Sequence, residues 1–180
     1  MKKALLLIAT PVVLFFASCG GSKSDEKRII PGMIETVITV NSNEFYIMIP
    51  DSTIGVAEIT EQPWGATEIK VGTDFHISVE ENEGDISLMK TDITGNEVFK
   101  LLRYIKDEPT LLFWEAKNEN MPDTRFHLYS IVKTENASYI IKDVERLEAY
   151  NEKAIQLMID ASLTLKPKGT HKSNSHSIDD

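Results

Sequence analysis

Short segments with period-two alternation follow one another along most of this chain, and this pattern restricts the possible folds more than any other feature. In the clearest segment, Phe75, Ile77 and Val79 alternate with polar residues. Such alternation is typical of a strand with one buried and one solvated face. From alternation, β-branched content and turn residues together, we predict strands at 33–40, 44–49, 56–62, 66–72, 74–81, 86–90, 110–117, 125–134 and 137–143.

Two segments change to the spacing of a helix. Apolar residues from Val98 to Ile105 lie at steps of three and four, which predicts a helix over 94–107 that ends before Pro109. A second helix is predicted over 145–162. Its apolar stripe consists of Leu147, Tyr150, Ala154, Leu157, Met158 and Ala161. Successive strands with only two helices predict an α+β fold, in which an antiparallel sheet is flanked by two helices.

A family resemblance supports this fold class. The run Phe45-Tyr46-Ile47-Met48-Ile49-Pro50, the strand Tyr139-Ile140-Ile141 and the terminal helix resemble the α/β sandwich of PsbP- and DcrB-type proteins. The resemblance covers most of residues 33–166 and implies an antiparallel sheet flanked by helices. Several members of that family are small exported lipoproteins. The matching pattern includes no signature residue of the family, so the resemblance assigns no functional position.

Residues 1–18 have the layout of a secretory signal peptide. Lys2 and Lys3 provide a positive start, an apolar run follows, and small residues precede Cys19. The apolar run of about 14 residues is shorter than the roughly 20 that a membrane-spanning helix needs. We therefore predict cleavage between Ser18 and Cys19.

The segment Phe16-Ala17-Ser18-Cys19 resembles the lipobox of bacterial lipoproteins, although Phe16 stands where an aliphatic residue is usual. The resemblance implies that the Cys19 thiol receives a diacylglycerol and that the new amine is acylated. Cys19 is the only cysteine, so no disulfide can form within the chain and packing alone must hold the fold. The predicted location is the cell envelope. Gly20 in place of Asp after the cysteine favours the outer membrane, on its periplasmic face or at the cell surface.

The rest of the chain divides by composition. We predict a flexible tether over 19–31, one α+β domain over 32–166, and a disordered tail over 167–180 that includes His171 and His176. Removal of Lys2 and Lys3 changes the formal charge from −9 to −11. This acidity excludes nucleic acid as a partner, because nucleic-acid affinity depends on neutralising phosphates.

Candidate ligand residues are few, and each also has a purely structural interpretation. His76 lies on the solvated face of its strand, where imidazole and carboxylates could bind a metal or exchange protons; surface strands are commonly polar in the same way. His127 lies in a strand with two apolar faces and is expected to be a partly buried, hydrogen-bonded histidine. Trp64, between Pro63 and Gly65, is predicted on a turn, where it either binds a partner or sugar or covers the core edge.

Motifs for chemistry are scarce elsewhere. Asp51-Ser52-Thr53 resembles an acceptor for bacterial O-glycosylation at Ser52. No serine-nucleophile, phosphate-loop, zinc-helix or Cys-x-x-Cys motif occurs, so we expect no cofactor, no metal and no enzymatic activity. The first hypothesis is therefore a lipid-anchored module that binds an envelope protein partner. The alternatives are a module that binds a small ligand or glycan, and a hydrolase whose site is assembled from scattered residues.

Overall fold

A computed structural model describes residues 30–169 of the 180-residue chain. The predicted signal peptide, Ser18, Cys19, most of the tether, His171 and His176 lie outside the described residues. Within residues 30–169, no helix is both long and apolar enough to cross a bilayer.

The described chain contains two helices and ten strands, and it has the predicted α+β class. The helices are α1 (Ile86–Gly95) and α2 (Glu152–Ser162). The strands are β1 (Met33–Val40), β2 (Asn43–Pro50), β3 (Ala57–Glu61), β4 (Thr67–Val71), β5 (Phe75–Glu81), β6 (Lys100–Glu108), β7 (Leu111–Lys117), β8 (Thr124–Lys133), β9 (Ser138–Asp143) and β10 (Lys166–Pro167).

Seven strands form a large antiparallel sheet in the order β3-β4-β5-β9-β8-β7-β6. All neighbouring strands are consecutive along the chain except the central pair, in which β9 pairs with β5. The remaining three strands form a separate sheet in the order β1-β2-β10. Its β1-β2 hairpin turns at Asn41 and Ser42, whose positive φ angles of 48° and 67° match the twist of a two-residue hairpin turn.

The inner face of the large sheet, defined by Ile69, Ile77 and Ile141, is covered from β3 to β8. The face is packed against β1 on the side of β3, β4 and β5, and against α2 on the side of β5, β9 and β8. All three defining side chains are buried in one core cluster that also includes the apolar side of α2. This cluster is the larger of the two apolar clusters in the described chain. Because burial of apolar surface is the dominant favourable term in folding, we regard it as the main core.

Helix α2 is shorter than predicted at its N-terminus. It begins at Glu152, because the side chain of Asn151 caps it by accepting the Ala154 amide at 2.9 Å. Ala154, Met158 and the other predicted stripe residues within α2 are buried or partly buried. Leu147 was wrongly assigned to that stripe, since it precedes the helix and is 94% exposed.

The predictions for residues 86–107 are wrong in both parts. The predicted strand 86–90 is the start of α1, which Asp85 caps by accepting the amides of Ser87 and Leu88. The predicted helix 94–107 is largely β6. Its pairing with β7 shifts register after Leu101 and again after Tyr104, so these two residues face the same side although they are three apart. The two bulges therefore keep Leu101 and Tyr104 on one face, whereas Leu102 is exposed and Ile105 packs against the main core on the other face.

The outer face of the large sheet is covered on one half only. Beneath α1, residues of β6 to β9 pack with Ile93 into a second apolar cluster. On the other half, the outer side chains of β4 and β5 include Glu68 and Ser78, which pair across the two strands. No described helix packs against this half. The boundary between the covered and uncovered halves is where a cleft opens.

Candidate ligand-binding cleft

The cleft lies on the outer face beside α1 and has a volume of about 440 Å³. Ser78 of β5, Lys142 of β9 and Tyr129 of β8 form its floor, because the sheet register aligns these residues side by side. Met89 of α1 and Trp64 of the β3-β4 turn also line it. With Glu68 of β4 and Trp114 of β7, the cleft draws on seven separate chain segments.

Trp64 and Trp114 line the cleft, and only Trp64 presents a large exposed aromatic surface. Trp64 is 68% exposed on a tight turn in which the Gly65 amide donates to the Gln62 carbonyl at 3.0 Å. Gly65 adopts φ +91°, a conformation that favours glycine, and this fixes Trp64 at the turn. The structure confirms the predicted turn position of Trp64. Trp114 of β7 is only 7% exposed and belongs to the outer cluster.

His127 is stacked on Trp114, with ring centroids 5.3 Å apart and planes inclined by 28°. Its Nδ1 lies 2.9 Å from Oδ2 of Asp143. Because a carboxylate only accepts hydrogen bonds, Nδ1 donates to Asp143. The expected partly buried, hydrogen-bonded histidine is confirmed, and the residue also lines the cleft.

Asp143 supports the site from below the surface. The residue is buried at the end of β9, and its Oδ1 accepts the amide of the buried Leu128 at 2.7 Å. One carboxylate therefore satisfies a backbone donor of β8 and orients the His127 ring. Sequence reasoning missed Asp143. The only available signal was an acidic residue at the end of an otherwise apolar strand, Tyr139 to Asp143.

Charged pairs cover the solvated side of the cleft. His76 Nε2 lies 3.1 Å from Glu68 Oε2, so His76 pairs across to β4 and not with the carboxylates of its own strand. Lys142 Nζ lies 3.5 Å from Glu80 Oε1. Glu68, Glu80 and Lys142 line the cleft, whereas His76 lies beside it behind Glu68. The predicted alternation of β5 is confirmed, although Ser78 is buried on the face expected to be solvated.

Tyr129 is a buried part of the cleft floor, with 8% of its surface exposed. Burial raises the pKa of Tyr129, although a backbone hydrogen bond to Asp85 partly offsets this effect. Within residues 30–169, no group of three His, Cys, Asp or Glu side chains is arranged to hold a metal ion. The side chains that line the cleft offer aromatic stacking and hydrogen bonding, and His127 contributes an imidazole oriented by Asp143.

Ser52 lies apart from these groups. It is exposed in the turn that follows β2 and does not line the cleft. The neighbouring Asp51 accepts hydrogen bonds from the hydroxyl and the amide of Thr53, which lower the pKa of Asp51. Glycosylation of Ser52 stays a prediction.

The fold and site together define an α+β protein with an aromatic, mainly acidic cleft on the half-covered face of its sheet. No protein-family model, curated protein or solved structure is significantly similar to this chain. The lipobox and PsbP/DcrB resemblances therefore stay predictions from sequence.

Proposed function

We propose that this chain is a lipid-anchored envelope protein whose cleft binds a small polyhydroxylated ligand, such as a neutral glycan. The observation behind this proposal is the convergence of Trp64, Trp114 and His127 on one cleft. The exposed face of Trp64 offers an apolar platform for a sugar ring, while a few polar groups fix its orientation. Of the three functions expected from sequence, binding of a small ligand is the one that this geometry favours.

The charges of the cleft select against anions. Glu68, Glu80, Asp143 and Glu145 line it against a single lysine, Lys142. Carboxylates accept hydrogen bonds from hydroxyl groups, and Lys142 donates to sugar oxygens. An anionic ligand would place its charge beside several carboxylates, which is unfavourable when part of the site is screened from water. We therefore expect neutral sugars to bind better than sulfated or uronic-acid sugars.

Calorimetric titration of the full chain with a panel of neutral and acidic oligosaccharides tests this function. Truncation of a central aromatic contact commonly costs more than 1 kcal/mol, so Trp64→Ala should weaken binding about tenfold. Leu163→Ala is the matched control, because Leu163 is an exposed apolar residue following α2 on the opposite side of the sheet. Absence of binding to every sugar, or equal losses in both variants, would contradict the proposal.

Hydrolysis is a second candidate because of one observation, the Asp143–His127 pair. A carboxylate on Nδ1 is the arrangement that orients a histidine as a general base in hydrolases. If the cleft is catalytic, the chain should release chromophore from ester or glycoside substrates, and His127→Gln should abolish the release. Turnover that survives His127→Gln would assign the activity to another group or to a contaminant.

Anchoring at Cys19 is a separate part of the proposal and depends on the signal layout and the lipobox resemblance. Intact-mass measurement of the chain from envelopes should show a lipid-modified N-terminus beginning at Cys19. Cys19→Ala should leave the protein unprocessed. Normal processing and membrane fractionation of this variant would refute the anchor without affecting the cleft. The protein-partner role expected from sequence also stays a proposal.

A further inference from the structure

Strand β3 is a free edge of the large sheet, and the register shows which of its backbone groups face outward. Gln62 donates its amide to the Ala66 carbonyl at 2.8 Å, so Gln62 is a hydrogen-bonded position of the β3-β4 hairpin. Antiparallel pairing alternates such positions with non-bonded ones. The backbone groups of Ala57, Ile59 and Glu61 therefore point away from β4. Within residues 30–169, β3 has no neighbouring strand on that side.

The edges formed by β6 and β1 are protected, and β3 is not. Strand β6, at the opposite edge, has two register shifts along its pairing with β7, and bulges of this kind hinder further pairing. The free side of β1 lies against the large sheet, where the Thr39 carbonyl accepts the hydroxyl of Thr67. The pairing of β3 with β4, by contrast, is regular over all five residues.

Apolar side chains accumulate at the same edge. Ile59 is 41% exposed in the middle of β3, and Val56 directly before the strand is 81% exposed. Ile54, in the preceding turn, is also exposed. An exposed, regular strand with apolar neighbours is the usual template for strand addition.

We propose that a second copy of this chain adds to this edge, with the two β3 strands antiparallel about a two-fold axis at Ile59. In this register Ile59 lies opposite Ile59 of the second copy, and Ala57 lies opposite Glu61. Both are outward-facing positions, so each such pair exchanges two backbone hydrogen bonds. Glu58 lies opposite Thr60. No two like charges therefore face each other directly, and the exposed Ile59 side chains cover one another.

The second copy is favoured as the occupant because the five residues of β3 are self-complementary in this register. Glu58 is also paired with Lys70 at 3.8 Å, which reduces repulsion between the two copies. The two-fold axis is perpendicular to the sheet, so the dimer would form one continuous sheet with both clefts on the same side. The dimer would then present two identical clefts on one surface, and the structure of each cleft would stay unchanged.

The test measures the mass of the full chain by light scattering during size exclusion. A dimer is expected, and Ile59→Lys should convert it to a monomer, because two lysines would lie directly opposite. Thr60→Lys is the matched control, since it places the new lysine opposite Glu58 and should leave the dimer intact. A dimer that Ile59→Lys does not dissociate would overturn the proposal.

Cysteine cross-linking tests the register of the two β3 strands without destabilising the dimer. It also decides whether the pairing forms at all if the parent chain elutes as a monomer. In a Cys19→Ser background, Ile59→Cys should form a disulfide-linked dimer, because paired Cα atoms lie about 5.5 Å apart. Thr60→Cys should not, since its Cα atoms would lie roughly 8 Å apart. Equal cross-linking of the two variants, or none in either, would overturn the proposed pairing.

Discussion

Replacement of Asp143 by alanine is the most informative single change, because one buried carboxylate holds two parts of the structure. Its two oxygens receive the Leu128 amide at 2.7 Å and His127 Nδ1 at 2.9 Å. Leu128 is 1% exposed, so water cannot readily replace the lost acceptor. Alanine would leave the amide without a partner and His127 without its orienting group.

The expected cost follows from these two bonds. A buried donor left without a partner costs about 1–3 kcal/mol, and a hydrogen bond to a charged group contributes about 1.5–3 kcal/mol. Relaxation of His127, which is near the surface, recovers part of the second contribution. We therefore expect Asp143→Ala to lower the free energy of unfolding by about 3 kcal/mol. Asp143→Asn should lose only about 1 kcal/mol, because its amide oxygen can still accept the Leu128 amide.

Urea unfolding followed by circular dichroism measures these differences. The dependence on urea should keep the same slope in every variant, so that midpoint shifts report stability alone. Glu44→Ala is the control, because Glu44 forms an exposed pair with Lys168 at 3.1 Å and should contribute at most about 1 kcal/mol. The reasoning is refuted if Asp143→Ala loses no more stability than Glu44→Ala.

Three further substitutions test the core, the turns and the pH dependence. Met158→Ala should cost about 2–5 kcal/mol in urea unfolding, because Met158 is fully buried in the inner core; a loss below 1 kcal/mol would contradict its role. Gly72→Ala should destabilise the fold, since φ is +58° and the new Cβ would lie 2.5 Å from the Ile54 carbonyl oxygen, whereas Gly95→Ala has open space and should not. Burial raises the pKa of Tyr150 to about 12, so the contribution of this residue to stability is complete below pH 10 and is lost as the pH rises to 12. Tyr150→Phe should therefore flatten the decline of unfolding free energy with pH in this range. An unchanged decline would refute the assignment.

Sequence alone was enough for the fold class and for most strands, because their alternation directly reflects one buried face. It failed for β6 because two residues at helical spacing, Leu101 and Ile105, pack on opposite faces of the sheet. It failed for α1 because the predicted strand 86–90 took no account of a capping residue before it. In the structure Asp85 accepts two amides of the first helical turn. The capping hydrogen bonds of Asp85 therefore favour a helix over residues 86–90, where the sequence pattern predicted a strand.

The candidate site was less accessible to sequence reasoning. Trp64 and His127 were identified individually, but only the strand register shows that both line one cleft. Asp143 has no motif, and its importance depends on a hydrogen bond between neighbouring strands that no spacing along the chain reveals. The division of the strands into two sheets was also missed, because alternation does not specify which strands pair.

The position of β9 between β5 and β8 has a consequence for how the molecule is assembled. Until residues 138–143 have emerged, β3 to β5 form one meander and β6 to β8 form another, and no strand pairing joins the two. The β5–β9 pairing joins residues far apart along the chain, as in Ile77 with Asp143, and such long-range closure slows folding. A chain that emerges from its N-terminus therefore completes its large sheet only after residue 143, when β9 pairs with β5 and joins the two halves.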